Sequence, residues 1–211
     1  NKKNKKRTTK KKAITKEDEE RYQEALSDLL REQVFANQMQ DAQKTFATIK
    51  QQLPAEDLYR KLPYRNQDTY QPELAAMYEE TISRFAADER AHTGLAAYLL
   101  IGQEYGRALK QYQQAIRKNT DSSSVVDGLR QIRPHISQEE WQPVAALLLR
   151  SADAIVESIG TEEFVDRELY FATESYRLLG APEKAVQAHR KQISWRKKQY
   201  DDLEDKGTAA N

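Results

Sequence analysis

Three histidines, His92, His135 and His189, are the residues around which acid–base or metal chemistry would have to be organised, because the chain has no cysteine. The stretch "ERAH" puts Glu89 and His92 three residues apart, on one face of a helix, as in carboxylate-bridged di-iron sites. Such a site needs that pair twice, with further glutamates on two other helices, and no second Glu-x-x-His occurs. Glu89 therefore reads as a surface carboxylate and His92 as an imidazole near a helix interface. Neither common glycine-rich phosphate loop is present, and "GTE" at 160–162 reads as a helix break followed by a cap. Serine, histidine and aspartate occur without the strand-to-helix elbow that presents a nucleophile. The expectation is a non-enzymatic protein with no metal and no cofactor. Binding is the better prospect.

Charge gives the sharpest binding feature. Lys2, Lys3, Lys5, Lys6, Arg7, Lys10, Lys11 and Lys12 crowd the first twelve positions with no acid among them, while the rest of the chain holds 26 basic against 33 acidic groups. Such an arm repels itself and cannot fold alone, so residues 1–14 read as a disordered polybasic segment. It suits RNA or DNA phosphates through counterion release, an anionic membrane surface, or a nuclear-import address; the plain alternative is a solubilising tail. No aromatics interleave with these cations, so base stacking is not indicated. A second cluster, "HRKQISWRKKQY" at 189–200, sets Trp195 beside Arg196 and Lys197. Those three are candidate contacts for an anionic partner, against a plainer reading in which Trp195 caps the core and the cations stay in water.

The elements that must position these residues are helical throughout. Hydrophobic residues make up 38% of the 211 and charged residues 32%, with mean hydropathy −0.90, yet eleven tyrosines and abundant leucine and alanine argue against disorder. No alternating stretch is long enough for a strand. "TKED" at Thr15 opens a first helix with a capping box, its apolar face expected to carry Tyr22, Leu26, Leu29, Leu30 and Gln33. Further helices are expected at about 38–52, 72–86, 88–102, 104–118, 125–132, 138–159, 161–179 and 182–205. The proline-rich 53–72 is mostly loop with one short helix, and 206–211 a flexible tail. Residues 15–205 form the helical domain.

Within this pattern "GQEYGRALKQYQQAI" at 102–116 places Ala108, Tyr112 and Ala115 at intervals of four and three, after Leu95, Ala96 and Leu99 on the preceding helix. The same register recurs in 23–56, where Leu29 and Leu30 lead to Ala42, Phe46 and Ile49, and in 166–199, where Leu169, Ala172 and Tyr176 lead to Ala185 and His189. Ala42, Ala108 and Ala185 are separated by roughly two repeat lengths of about 34 residues each. Ala145, Leu149 and Ala152 match the second-helix pattern in the later gap; 55–88 matches poorly. The chain thus resembles a degenerate tetratricopeptide repeat, with about half its length fitting well.

That resemblance implies an α-solenoid-like array of antiparallel helical hairpins, the alternative being a non-repetitive helical bundle. It also implies a concave face receiving a protein or peptide. Groove positions would include Glu24, Ser27 and Arg31 in the first unit, Arg90, Thr93 and Ala97 in the central one, and Arg167, Tyr170, Glu174 and Arg177 in the last. The Lys-Asn clamp by which family members hold a C-terminal carboxylate is not matched. The function expected first is an adaptor binding a protein or peptide partner. A nucleic-acid-associated factor using the arm, or the partner- or peptide-sensing domain of a bacterial regulator, are the alternatives. The expected location is cytoplasmic, on the strength of cysteine-free composition and no apolar run of about 20 residues. Because the chain opens on Asn1, a membrane or targeting segment upstream stays open, as does a nuclear location.

Overall fold

The computed structural model describes residues 15–62, 69–85, 89–118, 123–161 and 166–209, with only the backbone of Glu89 and of 203–209. The basic arm, Lys2 to Lys12, lies outside the described residues. Ten α-helices are found and no strand among the described residues; the chain is all-α, with its helices packed in adjacent pairs. Two compact units divide it, 1–63 and 64–211.

The first unit contains α1 (Lys16–Phe35), α2 (Met39–Gln52) and α3 (Ala55–Lys61). Thr15 starts α1 as its sequence requires: its hydroxyl accepts from the Asp18 N–H, and the Asp18 carboxylate accepts from the Thr15 N–H at 3.0 Å. The face α1 buries against α2 is narrower than the leucine pattern suggests. Ser27, Leu30 and Val34 are buried, whereas Tyr22 and Leu29 are half exposed, at 52% and 47%. A helix packed mainly on one neighbour covers a single ridge. Tyr22 and Leu29 fall beside that ridge, and Ser27 fits within it by returning its hydroxyl to the Gln23 carbonyl at 2.7 Å.

The second unit contains α4 (Pro72–Ser83), α5 (Glu89–Ile101), α6 (Tyr105–Arg117), α7 (Ser123–Ile132), a 3-10 turn (Arg133–His135), α8 (Gln138–Ser158), α9 (Asp166–Leu178) and α10 (Pro182–Ala209). The expected boundaries hold to a few residues, except that α10 runs on past residue 205. Ala42, Ala108 and Ala185 are all buried, on the second helices of the pairs α1–α2, α5–α6 and α9–α10. A methyl side chain there lets two helices approach closely. The intervening stretch departs from this regularity: α8 packs on α9 and α6, and not principally on α7. The 3-10 turn before Ser137 redirects the chain, and a second capping box, Ser137 with Glu140, starts α8.

Two close approaches set the geometry around α5. Tyr70 packs its ring over Gly102, where an added Cβ would lie 2.4 Å from the ring, and its neighbour Tyr98 accepts from the Gln71 N–H at 2.9 Å. Arg107 of α6 then grips Glu79 of α4 with two parallel bonds, 3.1 and 2.7 Å, and donates to the Tyr70 hydroxyl at 3.2 Å. Helix α9 meets α7, α8 and α10, so residues 171–176 are buried right round the helix.

Candidate functional site

A groove of about 410 Å³ runs between α5 and α7. Thr93, Ala97, Leu100 and Ile101 form one wall, because positions 93, 97 and 100–101 recur at helical spacing on α5. Ser124, Asp127, Gly128 and Gln131 do the same on α7, and Tyr112 of α6 lies between them. The α5 wall is mainly apolar, with Ile101 46% exposed. The α7 wall carries a hydroxyl, a carboxylate and an amide.

The floor depends on a missing side chain. A Cβ at Gly128 would sit 2.0 Å from the Tyr112 hydroxyl oxygen. Glycine in the interior of α7 costs helix stability of about 1 kcal/mol, and here it makes room for the phenol. Tyr112 is 2% exposed. Burial, and then the negative charge of Asp127, push its hydroxyl up to about 12, so it remains a neutral donor at physiological pH.

Charge passes from this groove to α9. Arg130 donates to Asp127 at 2.8 Å on its own helix and to Glu174 on α9 at 2.8 Å, while Arg177 also donates to Glu174. Glu174 is buried, so the two guanidiniums compensate a carboxylate taken largely out of water. Beyond it, α8, α9 and α10 are joined by Asp153. The Tyr176 hydroxyl donates to it at 2.8 Å and the Lys184 ammonium at 2.9 Å. Burial raises the Asp153 carboxyl, but those two donors outweigh it and hold the group below the ordinary range.

Thr93 and Ala97 line the groove. Arg90 is exposed on the first turn of α5, and Arg167 and Tyr170 are exposed on α9, Tyr170 at 52%. Glu174 differs from the rest of its set: it is buried and ion-paired, and Arg177 is held by it. In the first unit Glu24, Ser27 and Arg31 line a separate cleft of about 450 Å³, with Asp57, Arg60 and Lys61 opposite. Acids and bases alternate there and Leu53 is its one large apolar side chain, so it offers no apolar floor.

Trp195 is half buried against the cluster around Ala152, Ile159 and Leu169, and Arg196 lies over its ring while donating to Asp166 at 2.6 Å. Both are thus engaged within their own unit; Lys197 is exposed. His92 contacts Gln111 of α6 through Nδ1 at 2.9 Å, and His135 stacks on Tyr105 with ring centres 4.0 Å apart. Among the described residues no group of three His, Asp or Glu side chains is placed to hold a metal, and no helix is long and apolar enough to cross a membrane.

Sequence reasoning did not single out Leu100, Ile101, Gly128 or Tyr112 as groove residues. An isolated glycine inside a helical pattern was the available signal, since it often marks a close approach. Fold and site together define an all-helical protein with an open groove between two of its helices. Comparison with protein-family models, with curated proteins and with solved structures gives no match.

Proposed function

We propose that the protein is a non-enzymatic adaptor that holds a peptide or helix of a partner protein along the face formed by α5, α7 and α9. The observation that carries this reading is the side-by-side row of those three helices, α5 against α7 and α7 against α9, with an open groove at the first junction. Alternate helices forming a row, with α6 and α8 in contact behind, are what a solenoid-like array of degenerate helical repeats produces. The weak pairing of α7 with α8 is the departure from an ideal repeat. Groove chemistry favours binding over bond-making: an apolar wall faces hydroxyl, amide and carboxylate groups that can fix the orientation of a bound chain.

The test is direct. Peptides selected by display on the full chain should lose at least about ten-fold in affinity, the size expected of one interface anchor, on Ile101→Glu and on Tyr170→Ala. Both side chains are half exposed, so circular dichroism should be unchanged. Selected peptides that bind both variants as tightly as the parent chain would sink the groove.

A further inference from the structure

The floor of the groove between α5 and α7 holds a polar group that the fold itself does not use. Tyr112 is 2% exposed, and its phenol end lies over Gly128, which lines the groove with it. A buried tyrosine hydroxyl ordinarily has a hydrogen-bond partner. The equally buried Tyr98 and Tyr176 have theirs within the fold: the first accepts from the Gln71 N–H at 2.9 Å and the second donates to Asp153 at 2.8 Å. The Tyr112 hydroxyl bonds to none of the described residues, yet it is not sealed from the groove. Phenylalanine would fill the same space without burying a hydroxyl, so packing alone does not call for tyrosine.

The surroundings limit the acceptor that can meet this donor. Among the described residues that line the groove, Asp127 carries the one charge, and it is negative. A carboxylate brought to the floor would face that charge and exchange water for hydroxyl donors alone, which leaves it under-compensated. A helical segment is no better suited, because its interior carbonyls are already bonded four residues along. An extended segment offers a free carbonyl at each residue and sends its side chains alternately to opposite sides. Two unlike walls suit that alternation, with Leu100 and Ile101 on one and Ser124 and Gln131 on the other.

We propose that Tyr112 is the donor that fixes an extended, uncharged segment of a partner protein in this groove, its hydroxyl bonding to one backbone carbonyl of the bound chain. This rests on the groove's being a binding face, and adds the conformation of the bound chain and the contact that sets its register. Gly128 then has a binding consequence as well as a packing one, since it lets the phenol reach the floor from α6.

Peptides selected by display on the full chain are the probe, the tightest being resynthesised with each peptide group in turn replaced by an ester. An ester carbonyl accepts more weakly than an amide's, so one position should cost about three- to ten-fold in affinity, the worth of one hydrogen bond. Tyr112→Phe should cost about as much, and on that variant the same ester should cost little more, the bond being already gone. Urea denaturation should find Tyr112→Phe no less stable than the parent chain, because the hydroxyl bonds nothing in the fold. Binders lost on Ile101→Glu but held by Tyr112→Phe as tightly as by the parent would overturn the proposal and leave the groove standing. So would a Tyr112→Phe loss coupled to no ester position, a destabilised Tyr112→Phe, or a bound peptide whose circular dichroism is helical. Binding abolished by amidating the peptide's C-terminus would assign the floor to a chain-end carboxylate instead. Selection that yields no binder, or binders indifferent to Ile101→Glu as well, would remove the groove and the proposal together.

Discussion

The Tyr112 hydroxyl occupies the space into which any side chain at Gly128 would project, 2.0 Å from where its Cβ would be. Exposed glycines in helices are usually improved by alanine, by about 1 kcal/mol. Here the sign reverses. Gly128→Ala should destabilise the protein by about 1–3 kcal/mol, the ordinary cost of overpacking, because a nearly buried ring cannot swing away freely. Urea denaturation measures it, and Tyr112→Leu in the same background should recover part of the loss.

Glu174 with its two arginines should behave non-additively. Either Arg130→Ala or Arg177→Ala leaves the carboxylate one partner, and each exposed guanidinium is worth about 0–1 kcal/mol. Removing both strands a buried charge, which costs about 3 kcal/mol or more. A double-mutant cycle should therefore give a combined loss above the sum of the singles; simple additivity would mean Glu174 finds other partners.

Alkaline stability should report the buried phenols. Tyr112, pushed up to about 12, and Tyr176, raised by burial and by its bond to Asp153, both favour the neutral form in the folded state. Groups raised in this way contribute fully below their unfolded value of about 10, and the contribution drains away as pH climbs toward the folded value. Denaturation midpoints should fall from about pH 10 upward. Tyr112→Phe should flatten that fall, and an unchanged slope would exclude Tyr112 as its source.

Arg107→Lys should not be conservative. The guanidinium makes two parallel bonds to Glu79 and a third to Tyr70, joining α4, α6 and the segment before α4. An ammonium keeps the charge and loses the fork, at a cost of about 1 kcal/mol. Amide hydrogen exchange should show the loss first in α4, while α9 and α10 stay protected.

Much of the architecture could be read locally. Thr15 with Asp18, Ser137 with Glu140, and Pro72 and Pro182 at helix starts act within one turn, so the sequence states them outright. The spacing of Ala42, Ala108 and Ala185 identified three helix pairs, since small residues at crossings leave a periodic trace. Tyr22 and Leu29 show the limit. Their types match a core, but which side of α1 meets α2 is settled by packing, and they lie outside it.

Helicity, the cap positions and the crossing alanines followed from short-range chemistry, which needs only neighbours in the chain. Which polar residues are buried, and which apolar ones are left in water, was decided by tertiary structure. Glu174 looked like a groove residue and became a buried ion because α7 brings Arg130 to it. Gly128, in the interior of α7, is the opening for Tyr112. Val186, Ile193 and Tyr200 are apolar in type yet stand exposed, because α9 covers only one side of α10. Burial belongs to pairs of surfaces, and a sequence specifies only one member of each pair at a time.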